Sequence, residues 1–512
     1  MRRQRTVPCL LAEFDAWRRD VDALEMALSV LSVDAADKAP VLGAAYRSDR
    51  RAALVEMLQK LKNQPAIYET VCTLYEAGSR LADDDLVREL ELAKQMLERE
   101  RSVSPADRAA YDRVVELSGR MWLKAKAEAD FKSYAPYLEP VIEGYKAMTA
   151  GMCEASPQTG GWQRLYDRML DLNQPGWNIA RYDRFFEEIK THVIPLLEQI
   201  MEAPPVRDDF IRKPFPADRQ RQVMAKILEY IGFTPDWGKM GEAEHPLTTP
   251  ICIGDVRFTT KYRECQPVQA VFSTIHESGH ARHAHGLDPK YEGWLIGSSA
   301  SAGLCESQSR FCENHLGRSL AFWEVMLPLF KEAFPVQLEG ITPSMIYRAA
   351  NAVKPSPVRT EADEVTYPLH ILIRYELEKE MMDGDLRVKD LEEAWNEKYR
   401  KYLGITPANA AEGVLQDMHW PYAYFGYFPT YALGSAAAAQ LFAAMQRDLD
   451  PAQLLKEHRY PELMAWLGRK VHRFGNRYPM EEIIRMAAGE DLSVKYYTDW
   501  LESKYRGIYK LK

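Results

Sequence analysis

From its start to about residue 235 the chain repeats apolar residues at helical spacing with almost no relief, which confines it to a mainly α fold. In Arg80 to Ser102, for example, Leu81, Leu86, Leu90, Leu92 and Leu97 alternate with Asp, Glu, Lys and Arg, the pattern of an amphipathic helix with one solvated face. Asp107 to Met148 and Ile179 to Met201 carry the same texture. Turn signals fall between these stretches at Ser156-Pro157, Thr159-Gly160-Gly161 and Gln174-Pro175-Gly176, and none is long enough to be a linker. One segment departs from helix: Thr249 to Tyr262 alternates β-branched and aromatic residues with polar ones and predicts one or two short strands. Helices resume at Val268. No internal repeat or low-complexity segment is present, which argues against a solenoid.

Composition excludes several classes. The chain has 512 residues, 46% hydrophobic and 27% charged, and no run approaches the roughly 18 apolar residues of a membrane span. Lys and Arg number 66 against 74 Asp and Glu, a net charge of −8 with no basic block, so nucleic acid is not an expected partner. The run Met1-Arg2-Arg3-Gln4-Arg5 looks like the start of a targeting sequence, but the apolar stretch after it, Val7 to Ala12, stops at Glu13, and the expectation is a cytoplasmic chain. Seven cysteines without a CxxC suit reduced thiols.

The sharpest local signal is His276-Glu277-Ser278-Gly279-His280. Val268, Val271, Phe272 and Ile275 form a buried stripe upstream, so the helix turns its histidines to another face. Residues i and i+4 lie about 5–6 Å apart on one face, which lets two imidazoles converge on one cation with Glu277 beside it. A third ligand is needed, and Glu306, opening an apparent second helix after a Gly/Ser-rich approach, is the candidate. Glu313 on the same helix is the fallback, and a solvated surface acid is the plainer reading of it. His283 and His285 read as the polar end of the first helix, closed by Gly286.

Further motifs follow in order: His245-Pro246-Leu247, Asp255-Val256-Arg257-Phe258-Thr259, Cys305-Glu306-Ser307-Gln308, Val358-Arg359-Thr360-Glu361-Ala362-Asp363 and Gly413-Val414-Leu415-Gln416-Asp417-Met418-His419-Trp420. With the HExxH they resemble the M32 metallocarboxypeptidases, whose patterns HPF, DxRxT, HES/GQ, IRxxAD and GxxQDxHW they match in sequence order. Leu247, Val358 and Cys305 depart from those patterns, as does Ala281-Arg282-His283 after the second histidine. The resemblance implies a single helical body over residues 1–512 with a deep groove and a small sheet beside the HExxH helix. Residues 1–235 would form a lid or groove wall and 236–512 the catalytic part, with two chains pairing as a homodimer.

The residues themselves suggest how such a site works. Asp255, Arg257 and Thr259 share one face of a strand, and if that strand is an edge it could pair with an extended peptide. Arg359, Asp363, Thr366, Tyr367, His370 and Arg374 fall on one stripe if the segment is a single helix; spacing alone favours solvent, and the resemblance favours a cleft in which Asp363 orients Arg359. The expected chemistry is removal of single residues from a peptide's free C-terminus. One divalent ion, Zn or else Co, sits on His276, His280 and Glu306, with Glu277 as general base. His419 with Tyr431 or Tyr427 stabilises the oxyanion. Arg359, then Arg257, receives the terminal carboxylate, and His245, Asp363 and Gln416 complete the substrate contacts. The alternative is an oligopeptidase or dipeptidyl carboxypeptidase using the same metal site.

Overall fold

A computed structural model describes residues 6–37, 39–78, 81–155 and 164–512. Met1 to Arg5, Arg80 and the turn signals at 156–157 and 159–161 lie outside the described residues. The fold is mainly helical with one small sheet. The Leu-rich stretch near residue 90 forms the helix Asp84–Arg101, started by Asp83, whose carboxylate accepts the Asp85 and Leu86 amides at 3.0 Å each. Asp107 to Met148 proves to be two helices, Pro105–Glu128 and Phe131–Ala155. Ala129 turns left-handed at φ +53° and Asp130 caps the restart by accepting the Ser133 amide at 3.1 Å, a local break that apolar periodicity does not register.

The expected strands appear as β2 (Thr248–Cys252) and β3 (Asp255–Thr260), preceded by β1 (Gly238–Glu242). β1 was not foreseen because Gly-Lys-Met-Gly-Glu holds no β-branched or aromatic residue. The order is β1-β3-β2, with β1 parallel and β2 antiparallel to β3. β3 is therefore central, and its backbone is not free to add a peptide strand; the edge facing the groove is β2.

Among the described residues two apolar cores result. Phe14, Trp17, Ile67, Val71, Leu74, Leu90 and Leu97 pack the helices between Val7 and Arg101 against one another. A much larger core runs from Trp122 to Tyr509. The two meet through Leu295, which packs on the smaller core, through Arg18 stacked 4.3 Å over Trp294, and through polar contacts. Glu89, fully buried, accepts the Leu295 and Ile296 amides at 2.9 and 3.0 Å. Asp85 holds Lys290 at 2.7 Å and the Tyr291 hydroxyl at 3.0 Å, and Arg88 donates to the Asn476 carbonyl at 3.0 Å.

At the centre of the larger core lies the helix Pro429–Asp448, buried along Leu433–Phe442 and lined with small residues from Gly434 to Ala439. These permit close backbone approach. A Cβ at Gly434 would stand 2.8 Å from the Glu306 Cβ, and one at Gly279 would stand 2.6 Å from the Gln308 carbonyl. Gly279 lets the HExxH helix and the Glu306 helix lie against each other, which brings the candidate ligating side chains together, and Gly434 lets the central helix press against Glu306 from its other side. No described helix is long and apolar enough to cross a membrane.

Candidate metal centre and substrate groove

Pro267–His285 is a helix that starts on Pro267 and buries Val268, Val271, Phe272 and Ile275. His276 and His280 emerge on its other face with ring centroids 5.1 Å apart. The second helix, Ala302–Arg310, begins where Ser301 caps it by accepting the Leu304 amide, and it continues as a π-helical turn over Phe311–Gly317. Glu306 Oε2 lies 3.5 Å from His280 Nε2 and 3.9 Å from His276 Nε2, and the three ligating atoms all fall within 4.8 Å of one another.

The remaining atoms of these three side chains are committed. His276 Nδ1 bonds Glu313 Oε2 at 2.9 Å, and Glu313 is held by Arg318 at 2.8 Å and Arg310 at 3.3 Å. Arg310 also donates to Glu306 Oε1 at 2.7 Å, leaving Oε2 to face the imidazoles. His280 Nδ1 meets the Cys305 thiol at 3.3 Å. Glu313 is thus neither ligand nor surface acid: it is buried behind His276, carried there by the π turn. Burial opposes ionisation of Glu306, but Arg310 and the two histidines outweigh it and hold the carboxyl down to about 2. Two imidazole nitrogens and one carboxylate oxygen, each oriented from behind, match the donor set of a divalent cation.

A groove of about 1000 Å³ opens over this cluster. It is lined by Asp22, Glu25 and Met26 of the first helix, Val7–Asp37, by β2, and by Arg359, Tyr367, Tyr427 and Tyr431. Glu277 lies beside the histidines, and its Oε2 accepts the Thr248 hydroxyl at 2.6 Å. Thr248 had no sequence signal as a site residue, since its partner lies 29 positions away. His245 is exposed on the groove rim.

The arginine end differs from expectation. Arg359–Glu361 is a 3₁₀ turn and the helix starts only at Tyr367, because Asp363 takes the Val365 and Thr366 amides at 3.0 and 2.9 Å and interrupts the stripe. Asp363 therefore does not orient Arg359. That carboxylate is Asp417, whose Oδ1 accepts Arg359 Nε at 2.9 Å while Oδ2 accepts Arg374 Nε at 2.6 Å. Two buried guanidiniums on one carboxylate leave a net charge of 2 − 1 = +1. Burial opposes the charge on Asp417, but the two arginines hold it far below the ordinary carboxylate range. The Gln416 side chain is spent inside the protein, accepting the Arg359 amide at 2.7 Å and donating to Pro357 O at 2.9 Å. Arg257 forks onto Asp255 at 2.9 and 2.6 Å and is not among the groove-lining residues.

His419 stands behind the groove wall, its Nε2 3.2 Å from the Tyr431 hydroxyl and its ring on Phe428. Burial, aided by Arg359, pulls its imidazole down to about 3, so the ring is neutral. His285 bonds Ile253 O at 2.8 Å and stacks on Trp237, and His283 is buried; neither joins the ligand cluster.

The profile of the Carboxypeptidase Taq (M32) metallopeptidases matches residues 13–505. The chain belongs to the M32 carboxypeptidase family. It is 38% identical to carboxypeptidase 1 of Bacillus subtilis over 97% of this chain and 98% of that one, and 34% identical to thermostable carboxypeptidase 1 of Thermus thermophilus over 92% and 93%. Among solved structures, Pyrococcus furiosus carboxypeptidase (apo-Mg) superposes with a TM-score of 0.91 at 31% identity, covering 98% of this chain and 99% of that one. This M32 carboxypeptidase is a divalent-metal peptide hydrolase acting on C-terminal residues.

Proposed function

We propose that His276, His280 and Glu306 hold one zinc ion and that the groove above them admits the last residues of a peptide with a free C-terminus. The observation that carries this reading is the convergence of the three donors within 4.8 Å of one another in a groove that Arg359 also lines. Nitrogen and carboxylate donors suit zinc and would also accept cobalt. When bound, the cation supplies Lewis acidity, polarising the scissile carbonyl and making a water acidic enough to attack near neutral pH.

Glu277 takes the proton of the attacking water on its carboxylate and passes it to the leaving amine, with the Thr248 hydroxyl, bonded to Oε2, fixing the carboxylate's orientation. Arg359 receives the terminal carboxylate. Asp417 holds the guanidinium in place, and the surplus positive charge of the Arg359–Asp417–Arg374 group is what the anionic terminus neutralises. His419 acts through Tyr431. Its Nδ1 is buried without a partner, and an orphaned lone pair is less costly than an orphaned N–H. The proton therefore sits on Nε2 and is donated to the Tyr431 oxygen, which frees the Tyr431 O–H to point at the developing oxyanion. Tyr427 lines the same wall. We take the enzyme as a homodimer, as the family resemblance implies, and as cytoplasmic; light scattering and cell fractionation test this.

Zinc-loaded protein is given a free-acid peptide and its amide, products are read by mass, and Glu277→Gln is the control. Stepwise loss of single residues from the free acid alone is the expected result. Internal cuts, or equal rates on the amide, overturn the assignment of Arg359 and favour an oligopeptidase.

A further inference from the structure

We propose that Glu378 is a positioning residue whose buried carboxylate ties together the two ends of the turn between His419 and Tyr427, and so sets the oxyanion arm. The proposal rests on the reading of Tyr431 and His419 given above. Glu378 lies one helical turn beyond Arg374 on Tyr367–Asp383 and is fully buried. Its Oε1 accepts the Trp420 indole N–H at 2.6 Å. Its Oε2 accepts the Gly426 amide at 2.9 Å and the Tyr166 hydroxyl at 2.8 Å. Trp420 follows His419 and Gly426 precedes Tyr427, so one side chain is bonded to the immediate neighbours of two of the arm's residues.

Elsewhere the turn is held by packing and by its own backbone: Trp420 meets Trp395, Phe425 meets Tyr145, and the Tyr424 amide donates to His419 O at 2.8 Å. Beyond the short 3₁₀ turn Trp420–Tyr422 it is irregular, with Ala423 and Gly426 left-handed at φ +64° and +70°. It is also pressed against the helix Leu165–Asn173, where a Cβ at Gly426 would meet the Met169 carbonyl at 2.5 Å and Asn173 donates to Phe425 O at 3.0 Å. Glu378 is in no ion pair among the described residues, although Arg374 is near enough to act on its charge. Burial raises its carboxyl to about 7 against the pull of Trp420, Tyr166 and the Gly426 amide. What it offers the fold is acceptor capacity, two oxygens facing three donors. A glutamine there has one oxygen and turns an N–H toward the indole or toward Gly426. Arg374, on the same face of the same helix, holds Asp417. One helix therefore registers both the arginine end and the oxyanion arm, and Glu378 acts on the second alone.

The test compares Glu378→Gln, Trp420→Phe, their double variant and His419→Ala in the zinc-loaded enzyme. The measurements are kcat and KM on a free-acid peptide, metal content and Tm. Misplacing a reacting group by about 1 Å can cost on the order of 100-fold. Glu378→Gln and Trp420→Phe are each expected to lower kcat about tenfold or more, with KM changed less than about threefold and metal content unaltered. The double variant should lose no more than the larger single loss. Trp420→Phe deletes one donor and keeps an aromatic ring, so it decides the matter if Glu378→Gln does not fold. Unchanged kcat, or kcat, KM and metal content failing together, overturns the proposal. If His419→Ala lowers kcat and the Glu378 and Trp420 variants do not, the Glu378 proposal fails alone. If His419→Ala leaves kcat intact, the oxyanion reading beneath it has failed.

Discussion

Between Val7 and Arg101 the helices pack Phe14, Trp17, Val71 and Leu90 into a core of their own and touch the rest of the enzyme through Asp85, Arg88 and Glu89, with Leu295 and the Arg18–Trp294 stack beside them. Around Glu306 the helices approach at glycines, and their carboxylates and guanidiniums are buried together: Glu313 with Arg318 and Arg310, and Asp417 with Arg359 and Arg374. The first region meets its neighbour across hydrogen bonds and ion pairs with a small apolar contact at Leu295. The second has no slack, because each ligand's outer atom already has a partner in a low-dielectric setting. The first region can thus be altered with consequences mainly for the shape of the groove, whereas a change behind His276, His280 or Glu306 should be felt at the proposed metal site.

The largest effect expected is at Glu277. Glu277→Gln should cut kcat by about 10²–10⁴-fold while metal content stays at wild-type level, as measured by metal analysis beside steady-state kinetics. Loss of metal in that variant would mean that Glu277 belongs to the ligand network.

Asp417→Asn comes next. Breaking a buried ion pair costs roughly 3–5 kcal/mol, which denaturant unfolding should register together with a raised KM for free-acid peptides. The sign with pH follows from the depressed carboxyl. Its stabilisation is complete above the unfolded value near 3.9 and is lost as the pH falls below it, so Asp417→Asn should flatten the acid limb of the stability curve. An unchanged acid limb would assign that limb to other carboxylates.

Behind the metal, Glu313→Gln should weaken metal binding about 10–100-fold in a chelator competition. Cys305→Ala should weaken it less, since a thiol 3.3 Å from His280 is a weaker partner than a carboxylate at 2.9 Å from His276. Equal losses would show that the two imidazoles are oriented by packing instead.

The smallest effect is expected in the first region. Glu89→Gln should cost about 1–3 kcal/mol locally, seen as faster hydrogen exchange at the Leu295 and Ile296 amides. It should move KM more than kcat and leave metal affinity alone. A drop in metal affinity as large as that of Glu313→Gln would erase the contrast between the two regions.

How far the sequence could be read depended on the range over which its signals act. The Leu-rich pattern of Asp84–Arg101 and the i, i+4 histidines are local, and periodicity displays them directly. β1 was missed because its pairing with β3, not its composition, makes it a strand. The stripe from Arg359 to Arg374 looked continuous because spacing counts positions and not the backbone amides that Asp363 captures.

Spacing and residue chemistry alone determined a helical body, a pair of imidazoles on one face with an acid beside them, and Glu306 as a ligand candidate. Tertiary structure decided which partners stand behind those groups: Glu313 lies 37 positions from His276, Asp417 58 from Arg359 and Thr248 29 from Glu277. A helix or strand pattern carries information over about four residues, whereas the choice of a buried partner depends on which segments the close-packed core brings within 3 Å.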